Sequence, residues 1–87
     1  MMIKKLFEEL ERAERRTDEI DAAWENDYEN EELETAWNEA YKTEHEIFDK
    51  VVTEIVDMTN GMIDRETARV MIISKREEIK ALVKRIA

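Results

Sequence analysis

Carboxylates are the side chains of this sequence whose type and spacing could support chemistry. Glu46 and Asp49 form an E-x-x-D step, which places both on one face of a helix. Carboxylates in that arrangement can hold Mg²⁺ against a phosphate substrate. Nucleophilic catalysis has few candidates, because the chain has no cysteine, a single serine at Ser74 and a single histidine at His45.

His45 lies between two glutamates, and a histidine beside a carboxylate can act as a base or a metal ligand. On a helix, however, sequence neighbours point about 100° apart, so Glu44, His45 and Glu46 do not converge. We therefore expect a solvated surface histidine, no metal site and no cofactor.

The carboxylates resemble those of the all-helical nucleotide pyrophosphohydrolases of the MazG type, which use E-E-x-x-E followed by E-x-x-D. Glu31-Glu32 and the Glu46–Asp49 step match that pattern, but Thr35 stands where the third glutamate belongs. The resemblance implies Mg²⁺-dependent nucleotide hydrolysis. Because a ligand of the motif is missing, we expect no enzyme and keep the hydrolase as an alternative.

Charge is distributed unevenly along the chain. Residues 1–50 hold 17 acidic and 7 basic residues, whereas residues 51–87 hold 6 and 7, within a total of −9. Such an excess creates a directed field instead of a uniform solubilising coat. It also disfavours direct nucleic-acid binding, which depends on cations at phosphates. The basic residues after position 64 are expected to lie beside the acidic helices.

Apolar residues recur at steps of three and four with one glycine and no proline, which predicts an all-α fold. We expect one domain, residues 1–87, built as an antiparallel three-helix bundle with long helices at 3–26, 31–59 and 64–86. Asn30 is the predicted cap of the second helix, although one long bent helix from 3 to 59 remains an alternative. Gly61 is expected to end the second helix, and Asp64 to cap the third.

Self-association is expected from two features. Val70, Met71, Ile72 and Ile73 would surround a helix with apolar side chains, so a partner copy could bury the outer ones. Ala13 and Thr17 form a thin seam that would pack weakly in a monomer. A homodimer satisfies both, whereas a monomer with the third helix in the centre is the alternative.

An acidic face is the candidate partner-binding site. Its members are Asp18, Asp21, Glu25, Asp27, Glu29, Glu31, Glu32, Glu34 and Glu39. They would place carboxylates along a rod that a basic, nucleic-acid-binding groove could accept. Alternatively, these charges form an ordinary solvated face. The nearby aromatics, Trp24, Tyr28, Trp37 and Tyr41, are expected mainly in the core, with binding anchors as the alternative.

The stretch 55–69, followed by 73–76, resembles small acidic helical proteins encoded by phages and prophages of Gram-positive bacteria. The resemblance implies the cytoplasm of a bacterial host, where small acidic inhibitors of defence nucleases act. No signal peptide and no membrane-spanning run is expected, because the longest apolar run, 70–73, is too short to cross a bilayer.

These observations favour a non-catalytic acidic interaction protein that binds a basic surface of a host protein. Its sharpest form is a DNA-mimic inhibitor of a defence nuclease, of the anti-CRISPR or anti-restriction class. A structural helical dimer or scaffolding piece is the second hypothesis, and the MazG-like hydrolase is the third.

Overall fold

Four α-helices make up the part of the chain that the computed structural model describes, residues 2–86. They are α1 (Met2–Asn26), α2 (Glu31–Met58), α3 (Arg65–Ser74) and α4 (Arg76–Ile86). No strand occurs within these residues. The all-α class is therefore confirmed, whereas the prediction of three helices is wrong.

The first two helices form a long hairpin because a polar turn interrupts the apolar stripe between them. The Oδ1 atom of Asn30 accepts hydrogen bonds from the N–H groups of Glu32 and Leu33, at 2.9 and 3.2 Å. This is the predicted N-cap. On the other side of the turn, the Trp24 indole donates to the Tyr28 carbonyl at 3.0 Å. The alternative of one continuous bent helix is therefore wrong.

A left-handed turn ends α2. Asn60 and Gly61 have φ angles of 53° and 81°, and the Gly61 N–H donates to the Val56 carbonyl at 2.9 Å. Asp64 then caps α3 by accepting the Thr67 N–H at 2.7 Å. That backbone hydrogen bond holds the pKa of the Asp64 carboxyl below its ordinary value. Both predicted caps thus occupy their expected places.

The predicted third helix, 64–86, is broken in two at Lys75. Lys75 has φ −138° and ψ 46°; its N–H donates to the Met71 carbonyl at 2.8 Å, and its own carbonyl accepts the Ile79 N–H at 3.0 Å. One residue therefore ends α3 and starts α4. The Arg76 Nε–H donates to the Ile72 carbonyl at 3.1 Å, which satisfies an acceptor that the break leaves without a helical partner.

Contacts between side chains fix the direction of α3. The Arg65 Nη1 donates to the Thr53 hydroxyl at 2.9 Å, and one turn later the Arg69 guanidinium lies 4.0 Å from an Asp49 oxygen. Because the partner's number falls as α3 advances, α3 runs antiparallel to α2.

The same argument fixes α4 against α1. Arg76 binds Glu14, and one turn later the Lys80 Nζ lies 3.3 Å from the carboxylate oxygens of Glu11. α4 therefore runs antiparallel to α1, and α3 and α4 form a short second hairpin on the first. This pair of hairpins replaces the predicted three-helix bundle.

The core lies at one end of the molecule, which measures 46 × 21 × 17 Å. All four helices contribute to it, and we call this end the body. The buried apolar residues there are Ile3, Phe7, Leu10, Val51, Val52, Ile55, Ala68, Ile72, Ile79 and Val83. Beyond the α3–α4 hairpin, the rest of the first hairpin extends as two helices alone. We call residues 17–45 the arm.

The predicted self-association segment is divided between inside and outside. Ile72 is fully buried and Met71 is half-buried, whereas Val70 and Ile73 are 55% and 73% exposed. Val70 and Ile73 are the outer residues that the predicted homodimer would have to cover, and that dimer stays a prediction. α3 packs one side on α2 and presents the other side to solvent.

Candidate protein-binding site

The charge excess of the molecule lies on the arm. Residues 17–45 hold 11 carboxylates against one basic residue, Lys42, so the arm carries −10 and the remainder of the chain +1. All nine residues of the predicted acidic face are exposed. Three are on α1, two in the turn and four on α2. The boundary of the acidic region thus coincides with the boundary of the four-helix body.

Ion pairs neutralise carboxylates of the body and leave those of the acidic face alone. Within residues 2–86, the pairs at 4.0 Å or less join Arg76 to Glu14, Lys80 to Glu11 and Glu77, and Arg69 to Asp49. None of them includes a residue of the acidic face. The field of the arm is therefore directed into solvent, with screening only by dissolved ions.

The fold tolerates this charge for local reasons. Glu31, Glu32 and Glu34 occupy the first turn of α2, where the positive end of the helix dipole stabilises anions. Asp27 accepts a hydrogen bond from the Asn30 side chain at 3.1 Å within the turn. The repulsion between the remaining carboxylates is reduced because water surrounds them.

Aromatic rings form a continuous contact along the arm. The centroids of Trp24 and Trp37 are 5.9 Å apart, Trp37 stacks on Tyr41 at 4.9 Å with an interplanar angle of 12°, and Tyr41 meets His45 at 4.3 Å. Both tryptophans are half-buried, and Tyr41 is 43% exposed. The rings therefore cover the α1–α2 seam and still present edges and faces to solvent.

The expectation that the aromatics belong to the core is wrong for two of the four. Tyr28 is 74% exposed and Tyr41 is 43% exposed, because no third layer of helices covers the arm within residues 2–86. His45 is exposed, as expected for a solvated histidine, but its ring packs on Tyr41. The spacing of Trp37, Tyr41 and His45 at every fourth residue was the signal that could have indicated this contact.

The carboxylates of the hydrolase pattern are not brought together within the chain. Glu46 and Asp49 are exposed near the body, whereas Glu31 and Glu32 lie at the opposite end of the same helix. At about 1.5 Å per residue, the Glu31–Glu32 pair is ~20 Å along the helix from Glu46. Among residues 2–86, no three histidine or acidic side chains are grouped so that they could hold a metal ion.

One carboxylate with a perturbed pKa lies where the arm joins the body. Burial raises the pKa of the Glu44 carboxyl above its ordinary value, and the nearby charges of Glu14 and Asp18 raise it further. The Thr17 hydroxyl and His45 lower this pKa, but less than burial and Glu14 raise it. The charged form of Glu44 is thus disfavoured in the folded protein.

Replacing Glu44 with Gln should therefore stabilise the protein at neutral pH. A carboxyl whose pKa is raised on folding contributes its stability at low pH and loses it as the pH rises through the folded value. We expect Glu44→Gln to raise the free energy of unfolding at pH 7 by less than about 1 kcal/mol, given its partial exposure. The gain should shrink towards pH 4.

Thermal unfolding followed by circular dichroism from pH 4 to pH 7 measures this difference. Glu39→Gln is the control, because it removes one charge from an exposed position of the same helix. A Glu44→Gln variant less stable than wild type at pH 7, or a difference that does not change with pH, would contradict the assignment.

No protein-family model matches the chain, and comparison with curated proteins and with solved structures finds none that is similar. Within residues 2–86, no helix combines the length and the apolar character that crossing a bilayer requires.

Proposed function

We propose that this chain is a non-catalytic interaction protein whose acidic arm binds a basic surface of another protein. One observation carries the proposal: the whole charge excess lies on the two-helix arm, where the nine carboxylates of the acidic face are exposed and outside the ion pairs of residues 2–86. A field of this kind accelerates encounter with a cationic partner and selects against acidic ones.

The shape of the arm supports a partner with a groove. Two helices side by side make a narrow rod, so carboxylates on both helices can face the two walls of a positively charged cleft. Grooves that hold nucleic acid have that charge. The sharpest form of the proposal is therefore inhibition of a defence nuclease of a bacterial host by a DNA mimic, in the setting that the resemblance to phage proteins implies.

Charge reversal on the arm tests the proposal directly. The triple variant Glu25→Lys, Glu29→Lys and Glu39→Lys changes exposed positions outside the first turn of α2, so the helices should persist. We expect at least tenfold weaker binding to the protein that wild type captures from a bacterial lysate. Binding by wild type should also weaken steeply between about 0.05 and 0.5 M salt, because exposed charges are screened within roughly 10 Å.

A matched control separates the arm from net charge. Glu8→Lys, Glu9→Lys and Asp57→Lys reverse three exposed carboxylates of the body and change the net charge equally. This variant should retain most of the affinity of wild type. Equal losses in both variants, or tight binding that salt does not weaken, would overturn the proposal. Displacement of the chain from its partner by duplex DNA tests the mimic form.

Self-association is a second candidate property, because α3 presents apolar side chains to solvent. Val70 and Ile73 lie three residues apart on one helix face and are 55% and 73% exposed. A second copy packed on this face would cover Val70 and Ile73 and leave both arms free. A helical dimer or scaffolding piece is therefore compatible with partner binding by the arm.

Light scattering coupled to size exclusion tests the dimer. We expect wild type to elute with twice the mass of the chain. Ile73→Glu should elute as a monomer, because a dimer would bury the new carboxylate without an opposite charge or hydrogen bond to compensate it. Met62→Glu is the control at an exposed apolar residue outside α3. A wild-type monomer at every concentration would contradict self-association through α3.

A further inference from the structure

A row of side chains along α2 carries the next inference. Its members follow at every fourth residue, which places neighbours on the same helix face. We call this set the α2 row, and it consists of Trp37, Tyr41, His45, Asp49 and Thr53.

One end of the α2 row, Asp49 and Thr53, already contacts a helix of the same chain, α3. Thr53 accepts a hydrogen bond from Arg65 at 2.9 Å, and Asp49 pairs with Arg69 at 4.0 Å. The two arginines are themselves four residues apart on α3. An arginine-bearing helix thus runs antiparallel beside this row and reaches it with one cation for each turn, while Asp49 and Thr53 remain exposed.

The rest of the row, Trp37, Tyr41 and His45, is the upper α2 row. No helix runs beside it in this way within residues 2–86, because α3 ends at Ser74 and the chain turns back along α1. Tyr41 is 43% exposed, and its ring lies between those of Trp37 and His45. The surrounding arm carries a net charge of −10. The α2 row therefore continues past the end of α3, which contacts only Asp49 and Thr53 of it.

We propose that the upper α2 row binds an arginine-bearing helix of the partner, which continues the path of α3 along the arm. This inference rests on the proposed function and names the chemistry of the partner. Two observations select it: the row that α3 contacts at Asp49 and Thr53 continues past the end of α3 as a row of rings, and the charge of the arm is complementary to cations. Arginines spaced by four would meet the rings of the upper α2 row, one for each turn, within the field of the carboxylates of the arm.

Arginine fits this surface better than lysine. A guanidinium is planar and weakly hydrated, so it stacks on Trp and Tyr rings while its N–H groups remain available to carboxylates. An ammonium is a compact, strongly hydrated charge that gains mainly from the field. Discrimination between the two cations therefore separates binding on the α2 row from general attraction to the acidic arm.

The experiment uses the emission of Trp24 and Trp37, which are the two tryptophans of the chain and both lie on the arm. The full-length protein is titrated with two alanine-based helical peptides of equal length and charge. One carries arginine at every fourth position and the other carries lysine. We expect saturable binding with a preference for arginine of roughly three- to thirtyfold, as cation–π contacts would give.

Variants locate the contact. Tyr41→Ser should remove most of the arginine preference, whereas Tyr41→Phe, which keeps the ring, should retain it. Tyr28→Ser is the matched control, since Tyr28 is an exposed tyrosine of the same arm outside the α2 row. Circular dichroism of each variant verifies that the helices are intact.

Three outcomes would overturn the inference. In the first, both peptides bind with equal affinity, Tyr41→Ser does not change it, and the charge-reversed arm loses it. The proposed function would then stand, but binding would not involve the α2 row. In the second, tryptophan emission changes with protein concentration in the absence of peptide, and Tyr41→Ser abolishes the change. A second copy of the chain would then be the occupant of the row. Failure of both peptides to bind at low salt would count against the acidic arm as well.

Discussion

Phe7→Ala should have the largest effect on the stability of the protein. Phe7 is 2% exposed and packs in the four-helix body, where the Lys80 ammonium lies 6.0 Å from the centre of its ring. Removing a buried phenylalanine ring costs about 3–5 kcal/mol, through lost burial and the cavity that remains. The total stability of a small domain is about 5–15 kcal/mol, so this loss should remove a large fraction of it.

Denaturant unfolding followed by circular dichroism measures this loss. Tyr28→Ala is the control, because it removes an aromatic ring of nearly the same size from a position that is 74% exposed. Its effect should stay within about 0.5 kcal/mol. Similar losses in the two variants would show that the body does not hold the core of this protein.

Helix ends marked by side-chain chemistry were predictable from sequence. Asn30 caps α2 and Asp64 caps α3, as predicted, because each supplies an oxygen acceptor to N–H groups two or three residues later. Gly61 takes the left-handed conformation that its lack of a side chain makes accessible. These interactions are local, so a short window of sequence contains all the information they need.

The break at Lys75 was not predictable in the same way. Neither glycine nor proline marks it. Residues 74–78 are all polar, but Ile79 follows Ile72 by seven residues, so the helical period resumes in register after the break. What stabilises the corner is the contact between Arg76 and Glu14, residues 62 positions apart in sequence. A pattern of apolar spacing cannot show a contact between such distant residues.

The exposure of the carboxylates in the candidate site was predictable from sequence, whereas the exposure of its aromatic rings was not. Glu29 and Glu39 are exposed because ionised carboxylates remain hydrated unless a partner is available. Whether Tyr41 is buried depends instead on how far the third layer of helices extends. That extent follows from the turn at Lys75, which brings the chain back to α1 and leaves the arm uncovered.

That turn leads to the second large prediction, for Arg76 and Glu14. Both Arg76 Nη atoms donate to the Glu14 carboxylate, with Nη2 at 2.8 Å from Oε2, and the side chains are only 23% and 32% exposed. Glu14 raises the pKa of Arg76, as expected for a hydrogen-bonded ion pair. Arg76→Met should cost about 1.5–3 kcal/mol, because charged hydrogen bonds are lost and the Ile72 carbonyl loses its donor.

A double-mutant cycle with Glu14→Gln isolates the pair from the effects of each residue on its other neighbours. We expect a coupling free energy of about 1–2 kcal/mol, above the range of exposed pairs because the geometry is bidentate and partly buried. Arg76→Lys should recover less than half of the loss, since one ammonium cannot donate to Glu14 and to Ile72 in the same manner. Lys80→Met, one turn later, is the control and should cost less than Arg76→Met. A coupling near zero would mean that Lys75 turns the chain without help from α1.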